Sequence, residues 1–422
     1  MPDASSAVPA GRTRPRHPRF ASPSRRPRAA RTVLLGALTA IGPLSLDMYL
    51  PGLPAVAQDL RAAESQVQLS LTACLIGMAA GQLLIGPLSD QWGRKRLLVG
   101  GLAAYAIASL LCALAPSATA LIALRLLQGV AGGAGVVIAR AIVRDEHSGA
   151  TAALYFARLT LVTGLAPILA PMLGGQVLRV TGWHGIFVLL GVFGVLITAW
   201  SAAGLPETLA PERRAQTGLG NTLRTMLTLL KDRVFLGYVL GMGLAFSGMF
   251  AYISGSPFVI QEVYGATPQE YSLLFGGNAL ALVIVGQVAG RLAGRFPMRR
   301  MLRIGLSVAA LSSVALLVAA YADSPVAVIA ALFVFVASLG SIMPTTMGLA
   351  LDRHPEAAGT ASALMGVLQF GLAGAAAPVV GLLGGTGAVP MATVIAAAAV
   401  SGLVAMTALT WGAGRAAHPA RA

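Results

Sequence analysis

Three ionisable side chains lie inside long apolar runs of this sequence: Asp47, Arg125 and Arg158. A charge held at the centre of a bilayer costs about 2.5–3.5 kcal/mol on insertion scales, so each is a functional-site candidate. The competing reading for all three is a buried polar residue that holds two helices in register. Asp47 offers the most chemistry. A carboxyl binds its proton more tightly in a dry cavity and gives it up when water or a cation approaches. Exposed in turn to the two sides of a membrane, such a group can carry a proton across. One proton moving down about 100 mV yields roughly 2.3 kcal/mol, and each pH unit adds about 1.4. Arg125 shares a helix face with Gln128 and Gly129, where a permanent cation could tune Asp47 or another acid. Gly129 and Gly133 form a small-xxx-small pair that lets a second helix approach closely.

The elements that hold these residues are membrane spans. Of 422 residues, 56% are hydrophobic and 11% charged, and mean hydropathy is +0.77. Soluble domains average about 25% charged, and disordered chains are more polar still. A crossing needs about 20 apolar residues. Twelve such runs can be read: Val33–Leu53, Val67–Leu88, Leu97–Leu114, Ala120–Val143, Ala153–Leu178 and Ile186–Leu205, then Val234–Phe258, Tyr271–Leu292, Met301–Tyr321, Ala327–Leu351, Thr360–Gly384 and Val389–Trp411. The expected fold is an all-α membrane protein of two six-helix bundles, 33–205 and 234–411. A basic tail (1–32, expected to be disordered), a linker (206–233) and a short C-terminal tail (412–422) complete the chain. No alternating pattern supports a β-barrel.

Net charge is +15. In a soluble protein that would suggest nucleic acid, but here the cations sort by loop: 26 of the 30 Lys and Arg fall in the termini, the linker and alternate loops. The opposite loops hold only Arg61 and Arg179, together with Asp59, Glu64, Glu262, Glu270 and Asp323. The positive-inside rule then puts both termini in the cytoplasm of a bacterial inner membrane, with no nucleic-acid partner. Cys74 and Cys112 lie in apolar runs and suggest neither a disulfide nor a metal, and no catalytic constellation is visible.

The halves repeat at an offset near 205 residues. "GPLSDQWGRKRLL" from Gly86 faces "GRLAGRFPMRRML" from Gly290; Pro51 faces Pro257, Glu64 faces Glu270, and Pro171 with Gly174 face Pro378 with Gly381. Asp47 and Arg125, however, face Ile253 and Ala331, so the ionisable chemistry is confined to the first half. Parallel six-helix repeats around a midplane site are the layout of rocking transporters.

"GPLSDQWGRKR" resembles the loop between helices two and three of the major facilitator superfamily, through Gly86, Asp90, Gly93, Arg94 and Lys95. The resemblance implies a cytoplasmic latch in which Asp90 meets the N-terminus of helix eleven and nearby arginines. "LRLLQGVAGG" resembles the helix-four motif and implies Arg125 in proton transfer. "LAPILAPMLGG", with Pro167, Pro171, Gly174 and Gly175, resembles the antiporter motif of helix five, and its part "APMLGG" at Ala170–Gly175 is expected to break that helix and pack tightly. "LGALTAIGPLSLDMYLPGLPAVAQDL", "ARLTLVTGLAPILAP" and "YISGSPFVIQEVYG" are similar to the Bcr/CflA branch of drug:proton antiporters. That likeness implies export of antibiotics such as bicyclomycin, phenicols or sulfonamides by a monomer, with the proton as coupling ion and no cofactor. Asp47 matches the coupling acid of helix one, while the second acid some relatives carry a turn or two earlier is absent. Substrate contact is expected from Tyr49, Gln128, Tyr155, Arg158, Phe246, Phe250, Tyr252, Phe258, Asn278 and Gln369. Rival readings are a proton-coupled exporter of a metabolite such as an amino acid or sugar, and a non-transporting membrane sensor.

Overall fold

The computed structural model describes residues 25–147, 149–209, 219–293, 295–354, 357–383 and 387–411. The first half consists of α1 (Arg25–Asp47), a 3-10 turn (Leu50–Gly52), α2 (Leu53–Asp59), α3 (Glu64–Trp92), α4 (Arg94–Ala113), α5 (Ala118–Glu146) and α6 (Gly149–Gly204). The linker contains α7 (Leu219–Leu229). The second half consists of α8 (Arg233–Phe258), a π-helical turn (Val259–Val263), α9 (Pro268–Leu292), α10 (Met298–Tyr321), α11 (Pro325–Arg353), α12 (Ala358–Leu382) and α13 (Ala388–Thr410). No strand occurs among the described residues.

Ten stretches of the described residues are long and apolar enough to cross a membrane. One of them, Leu161–Gly204, has 44 residues. At 1.5 Å per residue it is about 66 Å long, twice a hydrocarbon core. It breaks at Gly182, whose φ of 67° and ψ of −169° are open to glycine alone. The chain doubles back there: Tyr155 and Leu159 on one arm and Ile197 and Leu205 on the other join a single apolar cluster with Leu34, Leu98 and Ile142. α6 is thus two spans meeting at one residue, where a loop was expected between Leu178 and Ile186. With α12, twelve crossings result.

Three other expectations change. α1 begins at Arg25, well before Val33, and residues 1–24 lie outside the described ones. The linker is not wholly irregular, since α7 occupies part of it. The helix does not break at Ala170–Gly175: α6 runs through Pro171 there and through Pro167 before it. Neighbouring helices hold a proline-bearing membrane helix in place, and the freed carbonyls find other partners.

The close approach foreseen at Gly129 and Gly133 is the crossing of α3 and α5. A Cβ on Gly129 would lie 2.2 Å from the Cys74 carbonyl oxygen. Between the halves, Gly175 lies against Ser272, Gly276 against Ile168, Gly164 against Val283 and Gly374 against Ile76. Gln269 donates from Nε2 to the Gly175 carbonyl at 2.7 Å. These contacts run from the end bearing Asp59, Glu64, Glu262 and Glu270, here the acidic end, to about mid-span. At the opposite, basic end, the ion pairs among the described residues each stay within one half: Arg31 with Glu146, Arg94 with Asp90 and Asp145, and Asp232 with Arg353. The molecule is closed at its acidic end.

Candidate functional site

Asp47 is the last residue of α1, and the prolines beyond it replace the helix with a 3-10 turn. Its side chain is buried, and among the described residues no hydrogen bond or ion pair reaches the carboxylate. It lies on the seam between the halves, within electrostatic reach of Tyr252 on α8 and Tyr271 on α9. Tyr252 accepts a hydrogen bond from Asn278 Nδ2 at 2.8 Å and stacks on Phe275 at 5.5 Å. The Tyr271 hydroxyl is 3.3 Å from Ser256 Oγ. A carboxyl with no ion-pair partner among the described residues can take up or release a proton without breaking an ion pair.

Arg125 is not its partner. The guanidinium is fully buried inside the first half, 5.0 Å over the Tyr49 ring and 5.5 Å from Phe187. Nη1 donates to Gln128 Oε1 at 2.6 Å, and Gln128 Nε2 donates on to Ser109 at 2.8 Å. Nε and Nη2 have no acceptor among the described residues. The ring faces supply cation–π attraction, and the spacing of three residues seen in the sequence is what lets Gln128 reach back. Arg158 is exposed on α6, its guanidinium 5.6 Å from the Tyr155 ring, and belongs to neither group.

The loop motif sits at the basic end. Gly93 takes φ 96° to turn α3 into α4. Arg94, nearly buried, meets Asp90 at 2.5 Å, Asp145 of α5 at 3.0 Å and Ser89 Oγ at 2.6 Å. Glu207, just past α6, accepts the backbone N–H groups of Arg94 at 2.8 Å and Lys95 at 3.1 Å, capping α4 with a carboxylate. Burial opposes that charge, but the N–H groups of Leu209, Arg94 and Lys95 outweigh it and hold the Glu207 pKa down. Gly86 packs near Val137 of α5. In this conformation the motif's contacts are to its own half. The side chains that open α12, where the latch of Asp90 was expected, lie outside those described.

In the helix-five motif, Gly174 is pressed onto α1: a Cβ there would be 2.0 Å from the Met48 carbonyl oxygen, one residue beyond Asp47. Gly175 faces the other half at Ser272. The aromatic candidates divide. Of these, Tyr252 alone is within electrostatic reach of Asp47. Tyr49, Phe250 and Phe258 are packed in the large apolar core, and Tyr155 stacks on His147 in the smaller core that holds Leu34. Phe246 packs edge-on against Phe370, beside Gln369 on α12. Sequence reasoning missed Tyr271, within electrostatic reach of Asp47, and Phe275, stacked on Tyr252, because aromatic residues in membrane spans face lipid or core more often than a site. It also missed Glu207 and Asp145, whose signal was an acid among basic loops.

The sequence model described as Major Facilitator Superfamily matches residues 35–378. The MFS-type transporter YdgK of Bacillus subtilis (strain 168) is 42% identical over 92% of this chain and 97% of its own length. A bicyclomycin resistance protein homolog of Haemophilus influenzae is 32% identical over 89% of this chain and 95% of its own. A chloramphenicol resistance protein of Pseudomonas aeruginosa is 33% identical over 66% of this chain and 65% of its own. Among solved structures, the nucleoside transporter NupG superposes with a TM-score of 0.74 at 13% identity, covering 90% of this chain and 99% of that one. A bacterial homolog of the lysosomal transporter Spinster, inward-facing and occupied, gives 0.73 at 15%, covering 93% and 98%.

Proposed function

The chain belongs to the major facilitator superfamily, and on that premise we propose that it is a proton-coupled exporter of small amphipathic drugs, of the Bcr/CflA type, in a bacterial inner membrane. Membership makes it a multi-pass transporter rather than an enzyme. The relatives named for bicyclomycin and chloramphenicol resistance favour drugs over metabolites as cargo. The sorting of cations puts the basic end and both termini in the cytoplasm. The closed acidic end then makes this conformation inward-facing, and the halves rock about the seam as a monomer.

One observation carries the reading: the buried Asp47 carboxyl on the seam, with no ion-pair or hydrogen-bond partner among the described residues and two tyrosines of the opposite half within electrostatic reach. Protonated, it can be enclosed when the halves close at either end. Ionised, it favours the state that gives it water or a bound solute's polar group. Proton and drug thus displace each other across one cycle. Asp47→Asn fixes the neutral form. The variant should fold and bind drug but lose accumulation of chloramphenicol and bicyclomycin in inverted vesicles energised with a pH gradient. Uptake at the native rate by Asp47→Asn would refute the assignment.

A further inference from the structure

Two arginines stand apart from the groups around Asp47 and Arg125: Arg158 on α6 and Arg291 on α9. Both are exposed, and neither has an ion pair or a side-chain hydrogen bond among the described residues. The face each occupies follows from helical phase. Arg158 lies eleven residues, about three turns, before Leu169, and Arg291 lies eighteen residues, about five turns, after Leu273. Leu169 and Leu273 are exposed, yet each is next in sequence to a residue on the seam. Ile168 touches Gly276 and Ser272 touches Gly175, at the end where the halves are closed. No vestibule opens there, so an exposed leucine of a membrane span faces the bilayer. Leu165 on α6 and Leu280 and Ile284 on α9 continue the two stripes and are exposed as well. Arg158 and Arg291 therefore extend two lipid-facing stripes, one on each side of the seam.

The same contacts set the register. Gly175 meets Ser272, Ile168 meets Gly276 and Gly164 meets Val283, so this arm of α6 and α9 run antiparallel. Continuing the pairing toward the basic end brings Arg158 level with about residue 288, within about one turn of Arg291. The depth suits a lipid headgroup. Arg291 lies in the last turn of α9. Arg158 is rooted deeper in its span, but its guanidinium sits 5.6 Å from the Tyr155 ring, which is about a turn nearer the basic end. Its arm thus reaches toward the interface, as long basic side chains do in a bilayer.

We propose that Arg158 and Arg291 together bind the headgroup phosphate of one anionic phospholipid on the outer side of the α6–α9 seam, with its acyl chains along the leucine stripes. The planar donor fork of a guanidinium matches phosphate oxygens, and two forks about a turn apart on neighbouring helices can share one phosphate. Two cations with no acid paired to either among the described residues favour a headgroup of net negative charge over a zwitterionic one. Basic pockets between spans at the cytoplasmic side bind such headgroups. The leaflet is cytoplasmic on the orientation proposed above, but the binding depends on neither proton coupling nor cargo. Each half supplies one arginine. Closing the basic end drives the two like charges together, and the bound phosphate offsets that repulsion.

Native mass spectrometry of the full chain in neutral detergent, titrated with dioleoyl phosphatidylglycerol or dioleoyl phosphatidylethanolamine, tests the site. The unmodified protein should hold one phosphatidylglycerol more tightly than any phosphatidylethanolamine. Arg158→Gln and Arg291→Gln should each weaken that lipid about fivefold and the double variant about thirtyfold, as expected for one and two cations at a membrane surface. The control removes two exposed cations at the same end, Arg96→Gln on α4 with Arg303→Gln on α10, helices that pack within their own halves. It should leave the tight lipid in place. Unchanged affinity in either single variant, or a loss in the control equal to that of the double variant, would overturn the site. Displacement by millimolar inorganic phosphate would also overturn it, because a lipid held through its acyl chains should resist a free anion. Thermal melting in lipid-free detergent should be the same for the double variant and the native protein. A lower melting temperature would mean that the arginines hold the seam directly, and would refute the lipid site.

Discussion

At the scale of single residues, this protein keeps the buried charges of Asp47 and Arg125 apart. Asp47 lies on the seam without a partner, whereas Arg125 is sealed within the first half against Tyr49, Phe187 and Gln128. A carboxylate locked to a guanidinium would resist protonation; keeping them apart leaves Asp47 able to gain and lose a proton. The backbone around Asp47 is held by a glycine that admits no side chain. Gly174→Val would drive a Cβ onto the Met48 carbonyl, 2.0 Å away at the ideal position. It should lower stability by about 1–3 kcal/mol, as overpacking does, and reduce transport as α1 shifts. Gly277→Ala, with nothing among the described residues within 4 Å of the added carbon, is the control. Thermal melting of both variants in detergent checks this, and equal melting temperatures would mean that α6 yields freely.

At the scale of elements, each half fastens its first helix to its fourth at the basic end, with the charges reversed. Arg31 of α1 pairs with Glu146 of α5, while Asp232, capping α8, pairs with Arg353 and His354 at the end of α11. Burial opposes the Asp232 charge. Hydrogen bonds from Arg353, His354 and the Val234 and Phe235 N–H groups prevail and lower its pKa to about 2. A depressed carboxylate contributes stability that is complete above its unfolded pKa of about 3.9 and is lost as pH falls through the folded value. Asp232→Asn should therefore melt at a lower temperature than the native protein near neutral pH. The gap should close between about pH 4 and pH 2. A gap constant over that range would show that the clasp does not depend on ionisation.

At the scale of the whole molecule, the halves are joined at the acidic end by apposed helices with few polar ties. At Gly175 and Ser272 the Cβ positions are 3.5 Å apart. That is the short edge of disulfide geometry, about 3.5–4.5 Å. Oxidising a Gly175→Cys/Ser272→Cys pair should lock the acidic end and stop transport, and reduction should restore it. Transport that continues with the pair fully oxidised would mean that this end need not open. The two native cysteines are buried, which favours selective oxidation of the engineered pair.

The sequence by itself determined the class, the spans and the inventory of ionisable groups. Burying about 20 apolar residues per crossing leaves only helices, and any charge inside them stands out against that background. Asp47, Arg125 and the Asp90–Arg94 loop were legible for this reason, and the Arg125–Gln128 contact followed from helical spacing. Only the tertiary structure decided which charges meet. It placed Arg125 away from Asp47, brought Tyr252 and Tyr271 to the seam, and gave Arg94 the company of Asp145 and Glu207, more than fifty and a hundred residues distant. It also turned Pro167 and Pro171 into interior positions of a helix and reduced a loop to Gly182. The juxtaposition of Arg158 with Arg291 was not legible, because one stands inside an apolar span and the other among the loop cations. Which face each helix turns to the seam decides it, and helix packing sets that rather than composition.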